Sequence, residues 1–541
     1  MRGITRLAPL CAFVVGLFAL TAVATADPGE GHGDGIPVPT PGQPNFGAGM
    51  EGMKLLDVAD KDGTINSDIA FMGNKAYVGN YDGFRIFDIK KPSNLDLLSD
   101  TRCRANQGDL SVFKAKDGRK IMLQSIDRPV TAPDCTGVDT GTTTEDENGV
   151  QQTRARFGFE GLRMFDVSNP RNPKFLRMFR TECGSHTHTL VPDRKNGEIH
   201  AYVPSYPLLS QITPEIDHPQ SDPLGLTCDP PHSKISIVSL PLADPEAGSV
   251  HKQPLASDTE FYDNDGPFHP PHDGEPASGT QEPFQACHDF QVFEPRNIVV
   301  GSCAGDLQYW DISDRGDPTS EDGEPHTLIQ REVEEDDPST PADERWESFD
   351  FVHNATVTWD GQVVAAVDES GGGVQARCDG SDTKRGFTFF YPLVEPGTPV
   401  DGFDDLLGRY IIPRPQSAEE CVSHNGTVLP TDDGSYLQVQ AFYKGGSSLF
   451  DFSDPAAPEE LAFADLETSI GNSDSWSTYW YNDVMYTNGG LLRGGAPPAG
   501  DQAQRNRGFE AFAVFDENGD RIETRDWKRS NPQTQESFQV P

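Results

Sequence analysis

The chain has 541 residues, with 85 acidic against 43 basic side chains for a formal charge of −42, and it contains 53 glycines and 44 prolines. A surface this acidic repels nucleic-acid phosphates and anionic lipid heads, which excludes a nucleic-acid partner. High Gly and Pro content with few long apolar stretches of helical period predicts an all-β protein rich in turns, either one large repeat domain or two sandwiches.

Residues 1–26 read as a secretory leader. Arg2 and Arg6 give a basic start, an apolar run follows, and Ala24-Thr25-Ala26 supplies the small-x-small cleavage pattern. Cleavage after Ala26 predicts an exported, secreted or surface-associated protein, and without Arg2 and Arg6 its formal charge is about −44. No later stretch is long and apolar enough to cross a bilayer. Residues 27–50 read as a flexible lead-in, 51–529 as the folded unit and 530–541 as a polar tail.

From residue 67 onward two half-motifs alternate. The first is a strand, a short turn and a second strand: "SDIAFMGNKAYVGNY" (67–81), "GDLSVFKAKDGRKIMLQSI" (108–126), "SHTHTLVPDRKNGEIHAYVPSY" (185–206), "CHDFQVFEPRNIVVGSCA" (287–304), "VHNATVTWDGQVVAAVDES" (352–370), "SHNGTVLPTDDGSYLQVQAF" (423–442) and "SWSTYWYNDVMYTNGG" (475–490). The second is a strand entered through a small residue and ended by an Asp turn and a Pro. "DGFRIFDIKKPSNLDLL" (82–98), "EGLRMFDVSNPRNPKFLRMF" (160–179), "GDLQYWDISDRGDP" (305–318) and "GGSSLFDFSDPAAPEELAFADL" (445–466) are clear copies. Weaker ones lie at 232–245, 385–399 and 507–520. In the clear copies Asp88, Asp166, Asp311 and Asp451 are placed to bind the turn backbone, and the following Pro stops the ladder.

Seven interleaved units of about four short strands cannot bury both faces alone, so they must stack, and radial stacking makes a propeller. The fold expected is a seven-bladed β-propeller of four-stranded antiparallel blades, six or eight being the neighbouring counts. The segment "GMKLLDVADKDG" (52–63) resembles an outer strand placed before the first complete unit, so it should pair with the last blade and close the ring by strand exchange.

The motif around "GLRMFDVSNPRNPKFL" and its copies resembles the LVIVD-repeat family of exported β-propellers over most of residues 52–520. The resemblance implies the fold and implies no single activity.

Eight cysteines remain beyond Cys11, an even number suited to four disulfides in an exported chain. Sequential pairing keeps each crosslink local: Cys103–Cys135, Cys183–Cys228, Cys287–Cys303 and Cys378–Cys421. A hairpin turning near Pro295 would set Cys287 opposite Cys303.

His186, His288, His353 and His424 share one address, the start of the innermost strand in units three to six, where units one, two and seven have Ser67, Gly108 and Ser475. Innermost strands line a propeller's channel, so four imidazoles can converge at one mouth and hold a transition metal such as Cu, Zn or Fe, with His188 as a deeper ligand. The alternative is polar residues that satisfy backbone groups of the neighbouring blade. The arrangement is similar in architecture to the selenium-binding-protein and methanethiol-oxidase propellers, which hold metal on channel histidines. Asp263, Asp265, His269, His272 and Asp273 form a second, irregular cluster matching no complete calcium loop. Asn354 and Asn425 fit glycosylation patterns but fall on inner strands. No nucleophile elbow, zinc-protease helix or phosphate loop is present. Long insertions at about 127–157, 207–231 and 254–285, with shorter ones at 319–347, 371–384 and 491–506, are expected as face loops.

Two functions fit. One is a monomeric extracellular scaffold that binds a protein, glycan or small ligand through those loops. The other is a metal-dependent oxidoreductase working at the channel mouth.

Overall fold

A computed structural model describes residues 49–532 except 62–63, 106–107, 128–130, 133, 137–141, 146–150, 155–160, 206–233, 255–286, 304–305, 319–326, 330–351, 370–385, 399, 401–404, 415–420, 466–473 and 490–507. The expected leader, nearly all of the lead-in, the 262–275 cluster and the bodies of the expected insertions lie outside the described residues.

Seven four-stranded antiparallel sheets form a ring, so the chain is a seven-bladed β-propeller. The innermost strands, in blade order, are Asn66–Met72, Leu110–Lys114, Thr189–Asp193, Asp289–Phe293, Val352–Val357, Gly426–Val428 and Ser475–Trp480. Alternation along each strand sends side chains to the two neighbouring blades in turn. In blade one Ile69, Phe71 and Val78 pack with Tyr479, Tyr486 and Phe509 of blade seven, whereas Ala70, Tyr77 and Ile86 pack with Leu110, Val112 and Met122 of blade two. Every blade-to-blade contact has its own apolar cluster of this kind. Both sheet faces are therefore buried, and the core is a ring of interfaces.

The repeated turn behaves as its chemistry dictates. Asp88, Asp166, Asp311 and Asp451 each accept the backbone N–H two residues on, at 2.7–2.9 Å. The glycine that opens the third strand is required for space as well as for φ. A Cβ on Gly83 (φ 146°) would stand 2.0 Å from the Thr101 carbonyl, and one on Gly161 (φ 126°) 2.2 Å from that of Phe179.

Closure uses the N-terminal segment. Met53–Ala59 pairs antiparallel with Gly508–Val514 as the fourth strand of blade seven. Two further additions were not foreseen. Gly49–Glu51 adds a fifth strand outside blade six, and Arg529–Ser530 pairs with Phe71 and Met72 on the channel edge of blade one. Asn531 then reaches blade two, where its side chain accepts from Val112 N–H at 2.8 Å and donates to Val112 C=O at 3.2 Å.

Cys103–Cys135 and Cys287–Cys303 are disulfides as expected. The blade-four register differs by one residue from the one anticipated. Phe293 pairs with Ile298 and Asp289 with Ser302, because Glu294–Arg296 forms a 3-10 turn closed by Asn297 in the left-handed region. Cys287 thus lies just outside the ladder instead of facing Cys303 across it. Cys183 and Cys421 are disulfide-bonded too; Cys228 and Cys378, expected as their partners, lie outside the described residues.

Candidate functional site at the channel mouth

In each blade the first strand starts, the second ends, the third starts and the fourth ends at one end of the sheet. His186 and His288 immediately precede or lie near the start of inner strands Thr189–Asp193 and Asp289–Phe293, His353 is the second residue of Val352–Val357, and His424 lies two residues before Gly426–Val428. The common address brings the four rings into one arc. Successive ring centroids lie 4.7 Å (His186–His288), 3.8 Å (His288–His353) and 4.1 Å (His353–His424) apart. Imidazoles bound to one ion at about 2.1 Å would have neighbouring centroids roughly 4.5–5 Å apart, so the His186–His288 spacing fits and the two closer pairs must open by about half an ångström to share an ion. All four residues are at most 1% exposed.

A carboxylate that the sequence reading missed completes the group. Glu369 directly follows the second strand of blade five, Val363–Asp368, and lies fully buried between two of the rings. Its Oε2 is 3.7 Å from His353 Nε2 and its Oε1 3.8 Å from His424 Nε2. Ligand atoms of His353, Glu369 and His424 all fall within 4.8 Å of one another. Tyr443 donates its hydroxyl to Glu369 Oε1 and lays its ring 4.7 Å from His424. Asp127 has the matching position in blade two, just after strand Lys120–Ile126, and its Oδ2 lies 3.3 Å from His186 Nδ1. Both acids were legible in principle: a residue ending the second strand must face the start of the first. Among 85 acidic residues nothing singled them out.

These contacts orient the rings. His424 Nδ1 donates to the Trp476 carbonyl, which can only accept, so Nε2 carries the lone pair. The Asp127 carboxylate does the same for His186 when it accepts from Nδ1. The Asn354 amide lies 3.2 Å from His353 Nδ1, and His353 Nε2 has no hydrogen-bond partner. Burial, reinforced by the facing His288, His424 and His186 rings, pushes the pKa of His353 well below its ordinary value, so that ring is neutral.

His188 stands apart from this arc in its contacts. Its Nδ1 meets Asp109 Oδ2 at 2.7 Å and Ser125 Oγ at 2.8 Å. In blades three and five the residue after the histidine address does what the alternative reading required of inner strands. Thr187 donates to the His288 carbonyl, and Asn354 donates to Asn425 Oδ1 in the next blade, both at 2.5 Å. Asn354 and Asn425 are buried at 4% and 1% exposure, so they are wall residues and not surface glycan acceptors.

The two ends of the channel differ. At the end away from the histidines, turns such as 73–74, 194–197, 294–297 and 481–484 are tight, and Arg529–Ser530 with Asn531 crosses there. The long connections 127–160, 204–233, 255–288, 330–351, 369–387 and 490–507 all join strand ends on the histidine side.

No family model matches the chain, and no curated protein matches it.

Proposed function

We propose that His186, His288, His353 and His424 hold a transition-metal ion at the channel mouth, and that the protein is a metal-dependent oxidoreductase acting through it. The observation that carries this reading is an arc of four buried rings, 3.8–4.7 Å between successive centroids, in which His353 and His424 bring ligand atoms within 4.8 Å of each other and of the buried Glu369. Inner-strand satisfaction of neighbouring blades accounts for His424 Nδ1, which donates to the Trp476 carbonyl, and is elsewhere supplied by Thr187, Asn354 and Asn425; it does not call for the approach of the four rings to one another.

The chemistry of the donor set supports the same reading. Neutral imidazoles suit Cu, Fe and Zn, and they leave the ion its full positive charge, which favours the lower oxidation state of a redox metal. Outer partners on Nδ1 of His186 and His424 aim Nε2 inward, as in other histidine–metal sites. Glu369 supplies the negative charge, as a ligand or as a partner to bound solvent. His188, tied to Asp109 and Ser125, is a wall residue in this reading.

Substrate approaches from the side of the long connections. That side also serves the scaffold reading, in which a protein, glycan or small ligand binds the face loops of a monomer; the seven-bladed fold is compatible with it. Export fits the two disulfides, and no helix among the described residues is long and apolar enough to cross a membrane. Membership of the LVIVD-repeat family is supported by the Asp-turn motif recurring in blades of one plan.

Elemental analysis of purified, metal-reconstituted protein tests the proposal. One equivalent of copper or iron per chain, lost in the His288→Ala/His353→Ala variant, is expected. Zinc alone would retire the redox assignment and keep the centre. A metal-free protein, or a metal content equal in the wild type and the double variant, would overturn the proposal in favour of the scaffold.

A further inference from the structure

At the opposite end of the channel, on the face of blade three that meets blade four, a second group of donors is assembled. Asp193 ends the first strand and Glu198 opens the second as its cross-strand partner; His200 follows two residues later on the same face. Ser239 of the third strand lies opposite His200, and its Oγ is 2.8 Å from His200 Nδ1. His200 is 2% exposed and its Nε2 has no hydrogen-bond partner. Two carboxylate oxygens face that nitrogen, Asp193 Oδ2 at 3.8 Å and Glu198 Oε2 at 3.9 Å. Both separations are too long for a hydrogen bond. They lie between the roughly 3.4 Å of two tetrahedral donors about 2.1 Å from a shared ion and the roughly 4.2 Å limit for such a pair, so a small closing movement brings the carboxylates into reach.

We propose that His200, Asp193 and Glu198 form a second divalent-cation site, distinct from the channel-mouth histidines and specific for a transition ion such as Zn²⁺. One imidazole among carboxylates selects against Ca²⁺ and Mg²⁺, which take oxygen ligands. The half-made character of the site is its strongest mark. With Nδ1–H donating to Ser239 Oγ, Nε2 turns a lone pair toward two anionic oxygens, and a cation would satisfy all three once the half-exposed Glu198 side chain swings in to close the site. Ser239 is then the outer partner that fixes the ring.

The surroundings permit it. Asn196 holds Asp193 by its backbone N–H at 3.0 Å to Oδ1 and by its side chain at 2.6 Å to Oδ2, which pre-sets the carboxylate and leaves further lone pairs. The blade-four turn passes over the ring, a Cβ on Gly316 being 3.6 Å from His200 Cε1. Its Arg315 guanidinium is engaged by the Ile312 carbonyl at 3.0 Å and Asn297 Oδ1 at 3.1 Å. Glu198, whose side chain is 35% exposed, gives the ion access from solvent. A bound ion would tie both strands of the hairpin to one point beside the blade-three to blade-four contact.

The test is calorimetric titration of chelator-stripped full-length protein with Zn²⁺ alone, in the His288→Ala/His353→Ala background so that the channel mouth does not contribute. One equivalent should bind, with affinity falling at least tenfold in His200→Gln and in Glu198→Gln; the second variant alters a half-exposed side chain and leaves packing intact. Circular dichroism shows whether each variant is folded. No saturable binding in this background, or binding unaffected by either substitution as scattered acidic residues would give, overturns the site. Failure of the channel-mouth reading is seen separately, as equal zinc stoichiometry in the wild type and the double variant.

Discussion

Replacing Asn531 with alanine removes a side chain that ties the C-terminal segment to blade two. Its amide serves both Val112 N–H and Val112 C=O, at 2.8 and 3.2 Å, in surroundings where Asn531 is 1% exposed. Alanine leaves a buried donor and a buried acceptor without partners, and an unsatisfied buried group costs about 1–3 kcal/mol. Water admitted to the vacated space recovers part of that, so the expected loss is about 2–4 kcal/mol. Asn531→Asp sharpens the test. It keeps the acceptor for Val112 N–H yet sets an anionic oxygen against the Val112 carbonyl, and it should cost more than alanine at neutral pH although it preserves one of the two bonds. Urea unfolding followed by tryptophan fluorescence reads both, as a lower midpoint at unchanged slope. A change within the roughly 0.5 kcal/mol of an ordinary surface substitution, or an aspartate variant more stable than the alanine one, would refute the idea that the segment clamps the ring.

Removing the Cys287–Cys303 bridge with paired serines, at a sequence separation of 16, should cost about 3 kcal/mol and weaken metal binding at the adjoining His288, both read on one purified variant. Glu369→Gln should reduce channel-mouth metal affinity about 10–100-fold in a chelator competition while leaving unfolding cooperative. Asp68 is held well above the usual carboxyl pKa by burial and by Asp109 beside it, so the fold favours its neutral form. Its contribution is fully present below the unfolded pKa and is lost as pH rises through the folded one. Asp68→Asn should therefore match the wild type at acid pH and gain on it as pH increases, measured by unfolding across that range.

The sequence carried the ring because the repeat is a local pattern. Alternating residues recur in every blade and the Asp turn in four of them, at Asp88, Asp166, Asp311 and Asp451, and each feature has one structural consequence. The closing strand at 53–59 was legible for the same reason: it has the pattern of an outer strand and no blade of its own. The blade-four register was less so, because it depended on whether Glu294–Arg296 would close as a 3-10 turn, a matter of one residue. The C-terminal crossing was invisible. Arg529 and Ser530 show no strand periodicity, and what holds them is a ladder on blade one and an amide on Val112, more than 400 residues away. The histidines announced themselves by a shared address, whereas Glu369 and Asp127 come from second-strand ends in a chain crowded with acids.

X-ray absorption at the metal edge of reconstituted His200→Gln protein, which lacks the second proposed site, addresses the channel mouth most directly. The account predicts an inner shell of three or four nitrogens at about 2.0–2.1 Å with the outer scattering of imidazole rings. A shell made of oxygen alone, or of sulfur, would contradict it.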